Sequence, residues 1–296
     1  MATRWGVDSV EAIGNNGNAG WVNYYSQDLV TFWGRYFGPS PGRFGWNYVT
    51  NSVNATQVNA ELDQLRQYGI NWIVPLLAPG EVPGTVNQYG QPLYRYEIAD
   101  YNFGRDDALS FCQHIVNAVN LSNGKLFFPT LRPYTGSNGV TSSIFRVYLN
   151  VEPTKWLTQQ YWNGFAETCW NFSVNGQFPF FPCIYLNSDP NLHPANGQTC
   201  SVAGNNPVPF TCHGSWAQQP TYCSSSSFTI HPAWTPQTCA GIAGGPKLWQ
   251  YDNVVCGNFN GVNVDVDQST PVFGDDEIFY MLYVPPPPFG DTLLSE

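Results

Sequence analysis

Four acidic residues stand where short apolar runs of the sequence end. Asp8 ends the first run, Glu152 follows Phe145–Val151, and Asp265 and Asp267 share one side of a later run. In parallel α/β barrels, the ends of different strands meet at one mouth. Glycoside hydrolysis needs a carboxylic acid to protonate the leaving oxygen and a second group to stabilise or attack the cationic carbon. We therefore predict Glu152, Asp8 and Asp265 as catalytic carboxylates and Asp267 as a substrate-binding residue.

Further candidates for substrate binding lie on the same runs. Asn150 stands two residues before Glu152, so both side chains lie on one side of a strand. Arg35 ends the second run and is able to bind a sugar or peptide carboxylate, or to pair with a structural acid. Trp249 and Tyr251 are candidates for stacking on sugar rings, with a plain core role as the alternative.

The elements that must position these residues alternate between short apolar runs and segments of helical period. The predicted strands are Trp5–Val10, Val30–Phe37, Asn71–Leu77, Lys125–Leu131, Phe145–Val151, Phe180–Leu186 and Lys247–Tyr251. The predicted helices are Thr56–Tyr68, Asp106–Val119 and Pro153–Phe172. Such alternation is typical of a parallel α/β sheet.

A (β/α)8 barrel of the TIM type, regular or irregular, fits the length and the number of strands. No GxGxxG or Walker-type loop opens a helix, which disfavours a nucleotide-binding doubly wound fold. We expect one barrel domain over residues 1–283, with residues 189–246 as a Cys-rich loop insertion. Residues 284–296 form a Pro-rich C-terminal tail.

Eight cysteines without a CxxC pair favour disulfides over zinc or redox chemistry. Six of them lie between Cys183 and Cys256, which predicts long disulfide-linked loops. The alternative is a set of buried thiols. Disulfides imply an oxidising compartment, so we expect an extracellular protein, although no secretion signal is visible at the N-terminus.

The charge balance excludes several partners. Eleven basic residues face 21 acidic ones, for a net charge of −10, so no basic patch is available for nucleic acid or an anionic membrane. No run of about 18 apolar residues exists that would span a membrane. The four histidines have no metal-ligand spacing, and the acidic Gly274–Glu277 segment lacks a calcium pattern. We therefore expect neither a metal nor a cofactor.

Several of these motifs also carry a family resemblance. They are Gly6–Ser9, Phe32–Phe37, Val147–Glu152, Leu248–Tyr251 and Val264–Asp267, in that order. The chain from Arg4 to Thr270 resembles the glycoside hydrolase family 25 lysozymes. It resembles still more the glycoside-hydrolase-like barrel family known as domain of unknown function 1906.

The resemblance implies that Glu152 is the general acid, with Asp8 and Asp265 as flanking carboxylates. It implies a cell-wall glycan as partner, cleaved after N-acetylmuramic acid, with the substrate's own N-acetyl group as a candidate nucleophile. The family's Asp-x-Glu appears here as Asn150-x-Glu152, and an amide cannot ionise. Two hypotheses follow: a secreted muramidase-like hydrolase, or a catalytically degenerate barrel that binds carbohydrate or self-associates as an extracellular structural protein.

Overall fold

The structure is a computed structural model of the 296-residue chain. It describes residues 5–12, 30–129, 133–135, 141–143, 145–152, 155, 157–173, 180–187, 215–218, 246–252, 265–269 and 280–287. The predictions for the loops of residues 189–246 and for the end of the tail lie largely outside these residues.

The described residues form three α-helices and fifteen strands. The helices are α1 (Ala55–Gln67), α2 (Tyr101–Leu121) and α3 (Gln159–Asn171). The strands of the central sheet are β1 (Trp5–Ser9), β2 (Val30–Phe37), β5 (Trp72–Leu77), β10 (Phe145–Val151), β11 (Phe180–Asn187), β12 (Ser215–Gln218), β13 (Pro246–Asp252), β14 (Asp265–Ser269) and β15 (Leu282–Tyr283). Three hairpins are made by β3 (Trp46–Asn47) with β4 (Ser52–Val53), β6 (Glu81–Val86) with β7 (Pro92–Tyr94), and β8 (Pro133–Thr135) with β9 (Thr141–Ser143).

The central sheet has the strand order β10-β11-β12-β13-β14-β1-β2-β5-β15. Its pairs are parallel except where β14 and β15 meet their neighbours. β5 also pairs with β10, because Leu76 and Leu77 lie level with Tyr148 and Leu149. This pairing therefore connects two strands that stand near opposite ends of the strand order.

The predicted α/β class with a mainly parallel sheet is confirmed, whereas a regular (β/α)8 barrel is not shown. β14 runs antiparallel to both of its neighbours in the sheet. In the part of the chain that the structure describes, three helices accompany the strands, not eight. β12 lies within the stretch expected to be a loop insertion, where it joins the sheet between β11 and β13.

Most predicted strands lie within one or two residues of the observed bounds, and one is wrong. Across residues 125–129 the chain makes a single bridge, from Phe127 to Tyr283, and no strand. α2 begins five residues earlier than predicted, since the Asp100 side chain accepts a hydrogen bond from Asn102 N–H and caps it there. α3 begins at Gln159 and not at Pro153.

The helices cover the sheet through their apolar faces. Val58, Leu62 and Leu65 of α1 are fully buried, as their spacing predicts. α2 and α3 cross at Gly104 and Gly164, where each glycine faces the backbone of the other helix without a Cβ between them. This close crossing holds the two helices together, and α3 also packs on β11, the neighbour of β10 in the sheet.

The cysteines of these helices correct the disulfide prediction. Cys112 of α2 and Cys169 of α3 are buried thiols whose Sγ atoms lie 3.9 Å apart, whereas a disulfide bond is about 2.0 Å long. Cys183 is buried in β11. No disulfide occurs among the described residues, so the buried-thiol alternative applies to them. The remaining cysteines, at positions 200, 212, 223, 239 and 256, lie outside the described residues.

Candidate functional site

Glu152 stands directly after β10, half-buried, at the C-terminal end of the strand. Its Oε1 accepts a hydrogen bond of 2.9 Å from Asn150 Nδ2, and its backbone N–H donates to the Tyr96 hydroxyl at 3.2 Å. Burial raises the pKa of the Glu152 carboxyl above its ordinary value. The Asn150 hydrogen bond and the charges of Arg43 and Lys155 lower that pKa in part. The result is a carboxyl group that holds its proton more tightly than an exposed glutamate does.

Asn150 connects Glu152 to the neighbouring side of the site. Its side chain is 3% exposed, and its Nδ2 also donates to the Tyr36 hydroxyl at 3.3 Å. Within the described residues, Asn150 Oδ1 is buried and has no hydrogen-bond partner. A buried carbonyl oxygen without a partner is costly, and it is the kind of group that a bound ligand would satisfy.

Arg43 brings a positive charge to this side. It lies in the loop after β2, half-buried, with its guanidinium carbon 5.0 Å from the centre of the Tyr36 ring. Desolvation lowers the pKa of Arg43, while the nearby charges of Tyr36 and Glu152 act in the opposite direction. No ion pair or side-chain hydrogen bond joins Arg43 to any described residue.

Two buried side chains, those of His114 and Arg35, form hydrogen bonds with the backbone of the loop that carries Arg43. His114 of α2 accepts from Gly38 N–H at its Nδ1 (2.7 Å) and donates from Nε2 to the Phe44 carbonyl (2.6 Å). Arg35 donates to the Gly42 carbonyl at 2.7 Å. The backbone is therefore held on both sides of Arg43.

Two tyrosines and a lysine are further neighbours of Glu152. The Tyr94 and Tyr96 rings are stacked, with centres 5.3 Å apart, and Lys155 Nζ lies 5.2 Å from the centre of the Tyr94 ring. Lys155 Nζ also lies 3.6 Å from Glu97 Oε2, whose side chain is buried. Burial raises the pKa of Glu97.

The other predicted carboxylates lie on β1 and β14, two strands that pair with each other. Asp8, which is 2% exposed, lies opposite Asp265 of β14 and level with Gly34 of β2. Asp267 lies opposite Gln250 of β13. The side chains of Asp265 and Asp267 are outside the described part of the structure.

Arg35 takes the structural alternative that its sequence position left open. It is 2% exposed and makes a bidentate pair with Glu61 of α1, in addition to its hydrogen bonds to the Val10 and Gly42 carbonyls. The structure therefore does not bring Arg35 to Glu152. Trp249 and Tyr251 flank Gln250 on β13, but their side chains are not described.

Seven residues in or near the candidate site were not predicted from the sequence. They are Tyr36, Arg43, Tyr94, Tyr96, Lys155, Tyr185 and Gln250. Gln250 is fully buried, and its Oε1 accepts from the Tyr185 hydroxyl at 2.7 Å. Tyr36 and Gln250 lie within motifs already singled out, so a check of their neighbours on the same strand face would have found them. Arg43 and Tyr96 lie in loops, where strand periodicity gives no signal.

Comparisons with known proteins support the fold. No protein-family model matches the chain, and no curated protein does either. Among solved structures, an uncharacterized protein of B. stearothermophilus matches 94% of this chain and 99% of its own, with 14% identity and a TM-score of 0.54. The chain is thus similar in fold to that protein over nearly its whole length.

Two further solved structures match more distantly. They are the spore cortex lytic enzyme SleM of Clostridium perfringens and the modular autolysin LytC of Streptococcus pneumoniae. SleM is 13% identical with a TM-score of 0.46, over 91% of this chain and 68% of SleM. LytC is 12% identical with a TM-score of 0.43, over 90% of this chain and 47% of LytC.

Proposed function

We propose that this chain is a glycoside hydrolase of the lysozyme-like type, acting on an N-acetylated cell-wall polysaccharide with Glu152 as the general acid. The observation that carries the proposal is the environment of Glu152. A half-buried carboxyl with a raised pKa, at the C-terminal end of a strand, is suited to hold a proton and deliver it to a glycosidic oxygen.

The hydrogen bonds around Glu152 fit this role. Tyr96 and Asn150 hold the backbone and one carboxyl oxygen, so the second oxygen is left to face the substrate. Because the Asn150 bond lowers the pKa that burial raises, the two effects oppose each other. The net effect of burial and these contacts is a raised pKa of the Glu152 carboxyl.

Asp8 and Asp265 are the proposed partners of Glu152 in this reaction. Their register pairing on β1 and β14 supports a shared position at the mouth of the sheet. A carboxylate there would stabilise the positive charge that develops on the sugar ring. The nucleophile that the family resemblance implies is the substrate's own N-acetyl oxygen, and a carboxylate is needed to orient it.

The proposed architecture is an irregular barrel. The pairing of β5 with β10 supports closure, since it connects the two ends of the parallel strand series. In such a barrel the ends of β1, β2, β10 and β13 surround one mouth. A cell-wall glycan lies outside the cytoplasm, so we propose that the protein acts extracellularly.

A second candidate function is supported by Asn150. A neutral amide stands beside Glu152, where the resembled lysozymes have an ionisable aspartate. A barrel that has lost this charge is suited to bind glycan without cleaving it, or to serve as an extracellular structural protein that associates with itself. The same assay separates the two functions.

The test is release of reducing ends from peptidoglycan and chitin oligosaccharides by the wild type and Glu152→Gln. The matched control is Glu167→Gln, which changes an exposed glutamate of α3 in the same way. We expect turnover by the wild type and by the control, and a loss of at least 100-fold in Glu152→Gln. Binding of these glycans without turnover by the folded wild type would instead support the second function.

A further inference from the structure

We infer that Arg43 is a specificity-determining residue that binds a free carboxylate on the sugar chain next to the cleaved bond. This inference rests on the proposed function, because it names a feature of the glycan taken by the same site. The guanidinium of Arg43 lies over the Tyr36 ring, half-buried, and no described residue accepts a hydrogen bond from it.

The position of Arg43 relative to Glu152 follows from a short chain of contacts. Glu152 bonds to Asn150, Asn150 bonds to the Tyr36 hydroxyl, and Arg43 covers the face of the Tyr36 ring. The electrostatic influence of Arg43 on Glu152 is consistent with this proximity. A ligand group held by Arg43 would therefore belong to a sugar at or beside the reacting bond.

The loop around Arg43 is built to hold the guanidinium in place. His114 fixes Gly38 and Phe44, Arg35 fixes Gly42, and Phe44 N–H bonds to the Tyr36 carbonyl at 2.9 Å. A side chain presented by a backbone held at so many points loses less conformational entropy when it binds a ligand. Arg43 is thus preorganised, although no described residue accepts a hydrogen bond from its guanidinium.

The charge of the site favours a carboxylate over a phosphate. A planar guanidinium forms two parallel hydrogen bonds to a carboxylate. The other nearby cations are already engaged, Lys155 by Glu97 and by the Pro92 carbonyl at 3.2 Å, and Arg35 by Glu61. The single positive charge of Arg43 balances the one negative charge of a carboxylate. A phosphate monoester would bring up to two negative charges to a chain whose net charge is already −10.

The test is titration calorimetry in a Glu152→Gln background, which prevents turnover during binding. The first probe is a tetrasaccharide of alternating N-acetylglucosamine and N-acetylmuramic acid with free lactyl carboxylates. The second is the same compound with these carboxylates converted to methylamides, and the third is tetragalacturonate. The added variants are Arg43→Gln, Arg43→Lys and the control Arg105→Gln, an exposed arginine of α2.

We expect the acidic tetrasaccharide to bind ten- to a hundredfold more tightly than its methylamide, as a charge-assisted hydrogen bond predicts. Arg43→Gln should abolish this preference, Arg43→Lys should keep part of it, and Arg105→Gln should keep it all. Arg43-dependent binding of tetragalacturonate instead of the lactyl compound would support a uronic acid as the source of the carboxylate.

Equal binding of the acid and the methylamide would overturn this inference and leave the proposed function standing. A preference that persists in Arg43→Gln would overturn it as well. The absence of binding to all of these probes, and to neutral chitin tetrasaccharide, would overturn the proposed function together with the inference.

Discussion

Burial raises the pKa of the Glu152 carboxyl, and the Asn150 amide, which donates to Glu152 Oε1, acts in the opposite direction. An aspartate at the same position has a similar size but neither N–H donor. It would also carry a negative charge beside the carboxyl. Both changes favour the protonated form of Glu152.

We therefore predict that Asn150→Asp raises the pKa of Glu152 further and moves the alkaline limb of the pH–activity profile to higher pH. The measurement is the pH dependence of the carboxyl-carbon shift of Glu152 by NMR, where the pair is expected to titrate together. Asn102→Asp, at an exposed position in the first turn of α2, is the control for the added charge. An unchanged or lowered Glu152 pKa would contradict this account.

His114 is the second residue whose ionisation has a predictable effect. Burial lowers the pKa of His114 from 6.5 to about 4, and the charge of Arg35 lowers it too, while the hydrogen bonds at Phe44 and Gly38 act in the opposite direction. Between pH 4 and 6.5 the unfolded chain therefore binds more protons than the folded one. This contribution to stability is full above pH 6.5 and is lost as the pH falls towards 4.

We predict that the free energy of unfolding of the wild type falls by up to about 3 kcal/mol from this residue between pH 6.5 and 4. The measurement is urea unfolding at a series of pH values. His114→Asn should be less stable at pH 7 and should show a flatter pH dependence over this window. Equal slopes for the two proteins would show that His114 does not carry the effect.

At the scale of single elements, the crossing of α2 and α3 depends on two glycines. A Cβ at Gly104 would collide with the Tyr161 carbonyl and lie 2.8 Å from Phe165 N. Backbone atoms of a helix cannot move aside as a flexible side chain does. The helices would have to separate, and α3 packs on the strands next to the candidate site.

We predict that Gly104→Ala destabilises the protein by about 1–3 kcal/mol, as other overpacked cores do. Gly80→Ala is the control, because a Cβ at that glycine meets nothing within 4 Å. The control should leave stability unchanged within about 1 kcal/mol. The check is the urea midpoint of both variants, and equal midpoints would refute the role of the crossing.

Periodicity and capping explain why the elements themselves could be predicted. Phe145–Val151 is buried at every position, so its apolar run marks a strand without ambiguity. The strand predicted to begin at Lys125 is wrong across residues 125–129, because apolar residues there pack against the core without pairing as a strand. Leu126 is buried beneath the end of α2, while Phe127 makes one bridge to Tyr283.

The candidate site was predictable only where its residues lie on strands. Glu152, Asn150 and Asp8 end or follow apolar runs, and alternation places them. Alternation does not show which of Arg35 and Arg43 is available to a ligand. Arg35 is engaged by Glu61, a buried acid of α1 that lies 26 residues after Arg35 in the sequence. The disulfide prediction is wrong for Cys112, Cys169 and Cys183, because a count of cysteines does not fix which pairs of Cβ atoms approach.

At the scale of the whole molecule, the end of the described chain completes the core. Val284 is fully buried, its N–H donates to the Asn71 carbonyl at 2.7 Å, and Arg66 donates to the Pro285 carbonyl at 3.0 Å. These contacts join residues 284 and 285 to α1 and to the start of β5.

We predict that a chain ending at Tyr283 is about 2–4 kcal/mol less stable than one ending at Pro287, because it loses a buried valine and three hydrogen bonds. Both truncated chains should be compared by urea unfolding with the full chain. Equal stability of the two truncated chains would contradict the structural role of these residues.

None of the helices in the described residues is long and apolar enough to cross a membrane. The fold shared with the B. stearothermophilus protein extends over nearly the whole chain, yet at 14% identity it concerns the arrangement of elements alone. The proposed activity therefore depends on Glu152 and its neighbours.

The most direct test of Glu152 as general acid compares two leaving groups. In a 2,4-dinitrophenyl glycoside of chitobiose, the dinitrophenolate departs without protonation. In the oligosaccharide, the departing sugar oxygen must be protonated by an acid. We predict that Glu152→Gln loses at least 100-fold in kcat/KM on the oligosaccharide and less than tenfold on the dinitrophenyl substrate. An equal loss on both substrates, or no loss on either, would contradict the assignment of Glu152 as the general acid.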